Sequence, residues 1–595
     1  MTIQEIVPSK PIVAQAKLQR LSPLLHLVTI GILLELLYIV LLALSPLPGL
    51  HLSNTPLPVT WPWTLAPSHF LFPGAQNTAS DSFEKNWFYL LLLALTLIGL
   101  AVVYAIGIRD VFRMLQRDSI HSPTRWLLLL LIVVALFGLT LMLQPALFSG
   151  DVFSYIFSGR LLGIYHVDPL NTAPILFAHD PFIHWTPQID TPTIYGPLWF
   201  FLSSSLAGIS NSPVATLLLF KGVALLSHCI NCVLLWAILS KVAPTYRLLG
   251  TFLYAWNPLV LIELAGSGHN EGLFIGLLLL AIWLYLQGQG QGQGKRRWFE
   301  TGTLALLGLA IADNSIASLF VPLFIWFMIR TEGDIAKAAW GFCWRMLVVL
   351  AIVVLVYLPF WRGPSTFLAI TSDIDTEHFV YSPLETLAVP IRWLFTMIAQ
   401  VSHFPPIMQP ATAADVTLRS SAALIYVLIY IRLFGQIRHS PVIAEVLSSP
   451  DTPDAGQEML TAEPGDGPSA GRNTNGHRGR EGIDQSNLNV LFSTWSTAIF
   501  WYFVLVSGLF WPWFTLPALW VAALRRIDAI TVRVLLLSGT ALLIYPLRNL
   551  PASPLTVYEP LLIFGIPIVY VVSSRIWGTE RMKLFHDRRS KATQD

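Results

Sequence analysis

Apolar runs close to the ~20 residues that a helix needs to cross hydrocarbon recur along nearly the whole chain, and nothing else in the sequence constrains the fold as much. They fall at 24–44, 87–108, 126–147, 248–264, 273–286, 303–329, 347–360, 422–433, 488–509 and 561–572, with few charges inside them. Inside lipid a backbone must satisfy its own hydrogen bonds, which long unbroken runs do as helices. Only 12% of the 595 residues are charged, against roughly 25% in soluble domains. The expected fold class is all-α and polytopic, with roughly 13–15 transmembrane or half-membrane helices.

Basic residues gather at the ends of these runs, where they set orientation. Lys10, Lys17 and Arg20 precede the first run and place the N-terminus in the cytoplasm. Arg109, Arg113, Arg117 and Arg125 mark a cytoplasmic turn, as do Lys295-Arg296-Arg297 and later Arg330, Lys337 and Arg345. The basic C-terminal stretch with Arg581, Lys583, Arg588 and Arg589 belongs on the same side. The expected organisation is a cytoplasmic tail at 1–22, a membrane core at 23–435 with an outer loop at 149–194, and a polar cytoplasmic loop at 436–487. C-terminal helices at 488–574 and a basic tail at 575–595 complete it. The Gly-, Pro- and Ser-rich composition of 436–487 predicts disorder. No cleavable signal peptide is expected, because the 24–44 run is too long for one. Leu198 to Ile209 reads as a half-span, and 303–329 as a helical hairpin with Asp313-Asn314 at its tip. A formal charge of +2 gives no reason to expect a nucleic-acid partner; the lipid bilayer is the expected one. Cys229 and Cys232 read as packing residues rather than a redox or zinc pair.

Three polar clusters stand at the mouths of apolar runs: Gly150-Asp151-Val152-Phe153-Ser154-Tyr155, Thr193-Ile194-Tyr195-Gly196-Pro197 and Gly268-His269-Asn270-Glu271-Gly272. The charge pattern puts them on the outer side, and they are expected to meet over one pocket at the membrane surface. Chemistry there cannot draw on cytoplasmic nucleotide sugars. A transferase would take its sugar from a carrier that crosses the bilayer, a polyprenyl phosphate, and pass it to a glycan or glycolipid acceptor. Such a reaction needs a carboxylate as general base and a cationic or amide-lined cradle for the leaving phosphate. Asp151 is the expected base, with a helix N-cap as its competing role. Expected substrate contacts are Tyr155, Arg160, Asp168, Tyr195, His269, Asn270, Glu271 and Trp513. Arg362 and Arg548, among the few outward-facing cations, are the candidates for the donor phosphate, and a salt bridge to a loop Asp is the competing role. No His/Cys/Asp set has metal spacing; Asp151 and Glu271 are the one pair that could share a divalent ion. Within the runs, Glu35, Lys221 and His228 are costly unless they face partners. A Glu35–Lys221 pair would explain two of them, and as a proton relay, together with the hairpin near Asp313, it motivates the alternative reading, a transporter or flippase.

The ordered set of motifs also resembles a known family. Asp151-Val152-Phe153-Ser154-Tyr155, followed by Gly159, Gly163 and Asp168-Pro169, is similar to the first outer loop of the polyprenol-phosphomannose-dependent α-1,6-mannopyranosyltransferases. Tyr195-Gly196-Pro197, Trp256-Asn257-Pro258-Leu259, Gly268-His269-Asn270-Glu271 and Trp511-Pro512-Trp513-Phe514 resemble that family's later motifs in the same order. The resemblance implies a GT-C-type glycosyltransferase bundle, an inverting transfer with Asp151 as base, and a cell-envelope acceptor. Two departures weaken the identity of sugar and linkage. The 312–314 stretch reads Ala-Asp-Asn where many GT-C enzymes keep a Lys, and Leu170 stands where the family often has Tyr.

Overall fold

The structure is a computed structural model and describes residues 10–47, 50, 62–73, 83–116, 123–144, 148–363, 366, 379–402, 408–439, 485–550 and 556–574. Among these residues it is helical, with no named strand, and an isolated bridge joins Val380 to Leu509. Eleven helices are long and apolar enough to cross a membrane. One bent pair and two shorter apolar helices add to them.

The first helices are α1 (Lys10–Leu44), α2 (Pro62–Leu71), α3 (Phe83–Gln116) and α4 (Pro123–Met142). Then come α5 (Asp151–Gly163), α6 (Pro197–Ala207) and α7 (Pro213–Val242). The apolar run at 248–264, expected as one span, is divided into α8 (Arg247–Ala255) and α9 (Pro258–Leu261), the latter continued by a π-helical turn at Ile262–Gly266. The two parts are bent by 49°. Pro258 explains the break, since it cannot donate to the turn before it. Asn257 restarts the helix by accepting from the backbone N–H groups of Leu259 and Val260.

Next are α10 (Glu271–Gly288) and α11 (Gln293–Asp313), which form an antiparallel hairpin. A 3-10 turn at Ser315–Leu319 leads into α12 (Val321–Met328), so the break expected near Asp313-Asn314 is present. The remaining helices are α13 (Ile335–Tyr357), α14 (Pro383–Ser402), α15 (Pro410–His439), α16 (Gln485–Leu505), α17 (Leu516–Ala523), α18 (Ala529–Ala541), α19 (Ile544–Leu547) and α20 (Thr556–Ser574). The loop expected at 436–487 is shorter at both ends, because α15 runs to His439 and α16 starts at Gln485. Residues 440–484, the basic tail at 575–595 and residues 373–378 lie outside the described residues.

Several helix ends meet at one end of this bundle. α10 starts there at Glu271 and runs for 18 residues, a rise of about 27 Å, before α11 returns to Asp313. Arg296 and Arg345, together with the hydrogen-bonded Lys241 and Gln287, mark the opposite end. α5, α6 and the start of α7 share a core of their own, built on Phe153, Phe157, Trp199 and Phe220.

Two expectations about individual residues are overturned. Asp151 is not the N-cap of α5: Gly150 holds that position with no side-chain cap bond, and Asp151 is the first helical residue. The carboxylate is therefore left to face across the site rather than back onto its own helix. Neither does Asn270 cap α10 with its side chain. The Glu35–Lys221 pair does not exist. Lys221 Nζ donates to the carbonyls of Met142 at 2.9 Å and Leu141 at 3.3 Å, and Glu35 accepts from Thr140. The last turn of α4 leaves carbonyls unpaired and partly negative, so a buried ammonium is better placed there than on a neighbouring carboxylate. His228, the third costly residue, meets the Ala255 carbonyl at 3.1 Å, which the break after α8 sets free.

α5 and α6 approach so closely that Gly159 has no room for a side chain. A Cβ there would lie 2.3 Å from the Ser203 carbonyl oxygen. Gly159→Ala should cost about 1–3 kcal/mol through overpacking, read as a lower melting temperature in detergent. At Gly208 a Cβ meets nothing nearer than 3.7 Å, so Gly208→Ala should leave the melting temperature unchanged.

Candidate active site

His269 is the centre of the site, fully buried on the turn between the π-helical segment and α10. Gly268 makes that turn with φ +78, a left-handed conformation that glycine takes at little cost. His269 then returns its backbone N–H to the Glu263 carbonyl at 3.0 Å, which aims the ring inward. One face of the imidazole stacks on Trp513 at 4.2 Å between ring centres.

The two ring nitrogens have different surroundings. Nδ1 faces three oxygens: Tyr155 Oη at 3.2 Å, Glu271 Oε2 at 3.7 Å and Asp151 Oδ2 at 4.0 Å. Nε2 faces Glu263 Oε2 at 3.4 Å. Burial drives the imidazole's pKa down from its ordinary 6.5 to about 3, so the ring is neutral at physiological pH. Glu271 opens α10 and lies within electrostatic reach of both Asp151 and Asp313. The Asp313 carboxylate is buried with no hydrogen-bond partner. Its backbone carbonyl crowds Gly196, where a Cβ would come within 2.4 Å. Asp151 is the exception in accessibility: its side chain is 31% exposed, against 9% for Glu271 and none for Glu263.

Thus Asp151, Tyr155, His269, Asn270, Glu271 and Trp513 meet in one site, with Tyr195 packed edge-on against Tyr155 at 4.6 Å. Tyr155 and Trp513 are buried here rather than set in a surface belt. Arg548 joins through the aromatics. Its guanidinium lies 5.8 Å over the ring of Trp511, which stacks on Trp513.

Three expected contacts are held elsewhere. Arg160 is buried, pairs with Asp180 at 2.8 Å and covers the Phe182 ring. Asp168 accepts from the Leu170 backbone and the Asn171 side chain, shaping its own loop. Arg362 lies 3.8 Å from Asp168 and is 61% exposed. Among the described residues no group of three or more His, Cys, Asp or Glu side chains is arranged to hold a metal ion.

Sequence reasoning missed Glu263 and its partner Tyr545. Glu263 is the one charged residue in the 248–264 run, so the cost of a charge in a membrane helix would have singled it out. Tyr545 carries no such signal.

A neutral His269 ties stability to pH. Below pH 6.5 the unfolded chain takes up a proton that the folded ring refuses until about pH 3. This group's contribution is therefore complete above pH 6.5 and shrinks as the pH falls through that window. The advantage in melting temperature of the wild type over His269→Gln, measured in detergent, should shrink as the pH falls from 6.5 toward 3.

The family described as Alpha-(1->6)-mannopyranosyltransferase, N-terminal domain, matches residues 70–330. Alpha-(1->6)-mannopyranosyltransferase A of Mycobacterium tuberculosis is 30% identical over 199 residues, covering 32% of this chain and 35% of the relative. A second alpha-(1->6)-mannopyranosyltransferase of that organism is 28% identical over 154 residues, 25% of each chain. Alpha-(1->6)-mannopyranosyltransferase B of Corynebacterium glutamicum is 28% identical over 151 residues, 24% of each. The chain thus spans no more than 35% of the length of these relatives. No solved structure matches it. Over residues 70–330, which supply every helix end in the site except those bearing Trp513 and Tyr545, the chain matches the N-terminal domain of the alpha-(1->6)-mannopyranosyltransferase family.

Proposed function

We propose that the chain is a GT-C-type membrane glycosyltransferase. It moves a sugar, mannose by its similarity to the mannopyranosyltransferases, from a polyprenyl-phosphate donor to a glycan or glycolipid acceptor in the cell envelope. The observation that carries this reading is the meeting of Asp151 with the 268–271 turn, 4.0 Å apart at Oδ2 and Nδ1. Asp151 is also the acid of the cluster that an acceptor can reach.

In the proposed reaction Asp151 takes the proton of the acceptor hydroxyl. The hydroxyl oxygen bonds to the anomeric carbon from the side opposite the lipid phosphate. The old carbon–oxygen bond breaks, and the phosphate leaves with its electron pair, so the configuration inverts. Positioned general-base catalysis of this kind contributes roughly 10²–10⁴ in rate. Arg548, beside Trp511, suits the developing phosphate charge. Arg362 is the second candidate, although its reach to Asp168 places it on the loop. Tyr195, only partly buried, offers a ring against which a sugar can lie, and Trp513 backs the site from behind His269.

Sidedness follows from charge. Lys295, Arg296, Arg297, Arg330 and Arg345 lie in or near the helix ends opposite the site, and such residues favour the cytoplasmic side. This supports a site open to the extracytoplasmic face and termini on the inner side. The transporter reading loses its Glu35–Lys221 pair, since each residue is bound to another partner, and keeps only the helix break near Asp313.

Asp151→Asn keeps the shape of the side chain and removes the base. In membranes with matched expression, transfer from a polyprenyl-phosphate sugar should fall about 10²–10⁴-fold. Undiminished transfer would reject Asp151 as base.

A further inference from the structure

One pair in the site has no part in the transfer as written. Glu263 is fully buried and its two oxygens have separate neighbours. Oε1 accepts from Tyr545 Oη at 2.5 Å. Oε2 faces His269 Nε2 at 3.4 Å, and neither of these two atoms has a hydrogen-bond partner elsewhere. Among the described residues no Lys or Arg forms an ion pair with Glu263.

The other edge of the ring decides where its proton sits. Of the three oxygens around Nδ1, one belongs to Asp151, the most exposed acid of the cluster, and an ionised carboxylate only accepts; the nearest, the Tyr155 hydroxyl, can accept as well as donate. A lone pair on Nδ1 would face the Asp151 carboxylate unfavourably, whereas an N–H is attracted to that charge and can donate to Tyr155 Oη. A neutral imidazole carries one N–H, and burial keeps this ring neutral. With the hydrogen on Nδ1, Nε2 is an acceptor that needs a donor, and Glu263 Oε2 is the atom in front of it. A bare carboxylate at that depth, without a cation, would also be costly to bury.

We propose that Glu263 is held as the neutral acid, its Oε2–H donating to His269 Nε2, and so fixes the tautomer that aims Nδ1–H at Asp151. Glu263 is then a positioning residue, and Tyr545 in turn fixes its other oxygen. The inference rests on Asp151 being the base: an N–H pointed at its carboxylate favours the ionised form that receives the acceptor's proton. No bond to substrate is made or broken at Glu263.

A neutral acid and an amide are near-isosteres, and this makes the idea testable. In Glu263→Gln the amide N–H donates to Nε2 while the amide oxygen still accepts from Tyr545. This variant should keep kcat within about threefold, with KM unchanged. Glu263→Leu fills similar space without a donor and should lose about 10²-fold or more in kcat at constant KM, as loss of the correct tautomer does in hydrolase triads. Nitrogen NMR of the histidine-labelled full-length protein should show His269 with hydrogen on Nδ1 in the wild type and in Glu263→Gln. A Gln variant as impaired as the Leu variant, at wild-type melting temperature, would overturn the proposal, and so would a Leu variant with wild-type kcat. Should Glu263→Leu not fold, the wild-type spectrum decides, since hydrogen on Nε2 contradicts the proposal. If Asp151→Asn proves silent, the base assignment fails, while the His269 signals still judge the tautomer.

Discussion

Lipid offers no partner to an unpaired backbone group, and this chain interrupts its helices where they surround the site. Several of these interruptions are answered by a side chain. Lys221 takes the carbonyls that end α4, His228 meets the carbonyl that ends α8, and Asn257 caps α9. Asn314 does the same for the 3-10 turn after α11. The polar residues inside the membrane runs are thus the terms on which helix ends can stop in the bundle. Because those ends stop together, the residues next to them, Asp151, Glu271 and Asp313, stop together as well.

The result is a group of acids with little positive charge to balance them. Glu263, Glu271 and Asp313 are buried, and each has a carboxylate oxygen without a hydrogen-bond partner. His269 stands among them as a neutral ring. Fully charged acids at such spacing would repel and pay heavily for lost water. A division of labour eases this: one acid stays within reach of solvent and acceptor, while the deeper ones hold the ring in place. The nearby cation is Arg548, which lies over the Trp511 ring, itself stacked on Trp513 beside His269.

Much of this was legible in the chain before folding was considered. The spans declare themselves by length and apolarity, and the 150–155 and 268–272 clusters by being polar where an apolar run opens. What stayed hidden depends on rotation and on loop structure. Glu263 reaches His269 only because the break at Trp256-Asn257 and the π turn redirect the chain. Lys221 and Glu35 are both charged and both inside runs, which suggested a pair, but the carbonyls at the end of α4 have no sequence signature. Arg160 looked like a substrate contact because outward cations are few; its partner Asp180 arrives through an irregular loop that periodicity does not describe.

The central claim is that chain stretches distant in sequence form one lipid-phosphate sugar site around Asp151. Cryo-electron microscopy of the full chain with a bound polyprenyl-phosphate sugar tests it most directly. The account predicts the anomeric carbon beside the Asp151 carboxylate, with the phosphate toward Arg548 and Trp511. Phosphate density at the other end of the bundle, among Arg296 and Arg345, would contradict it.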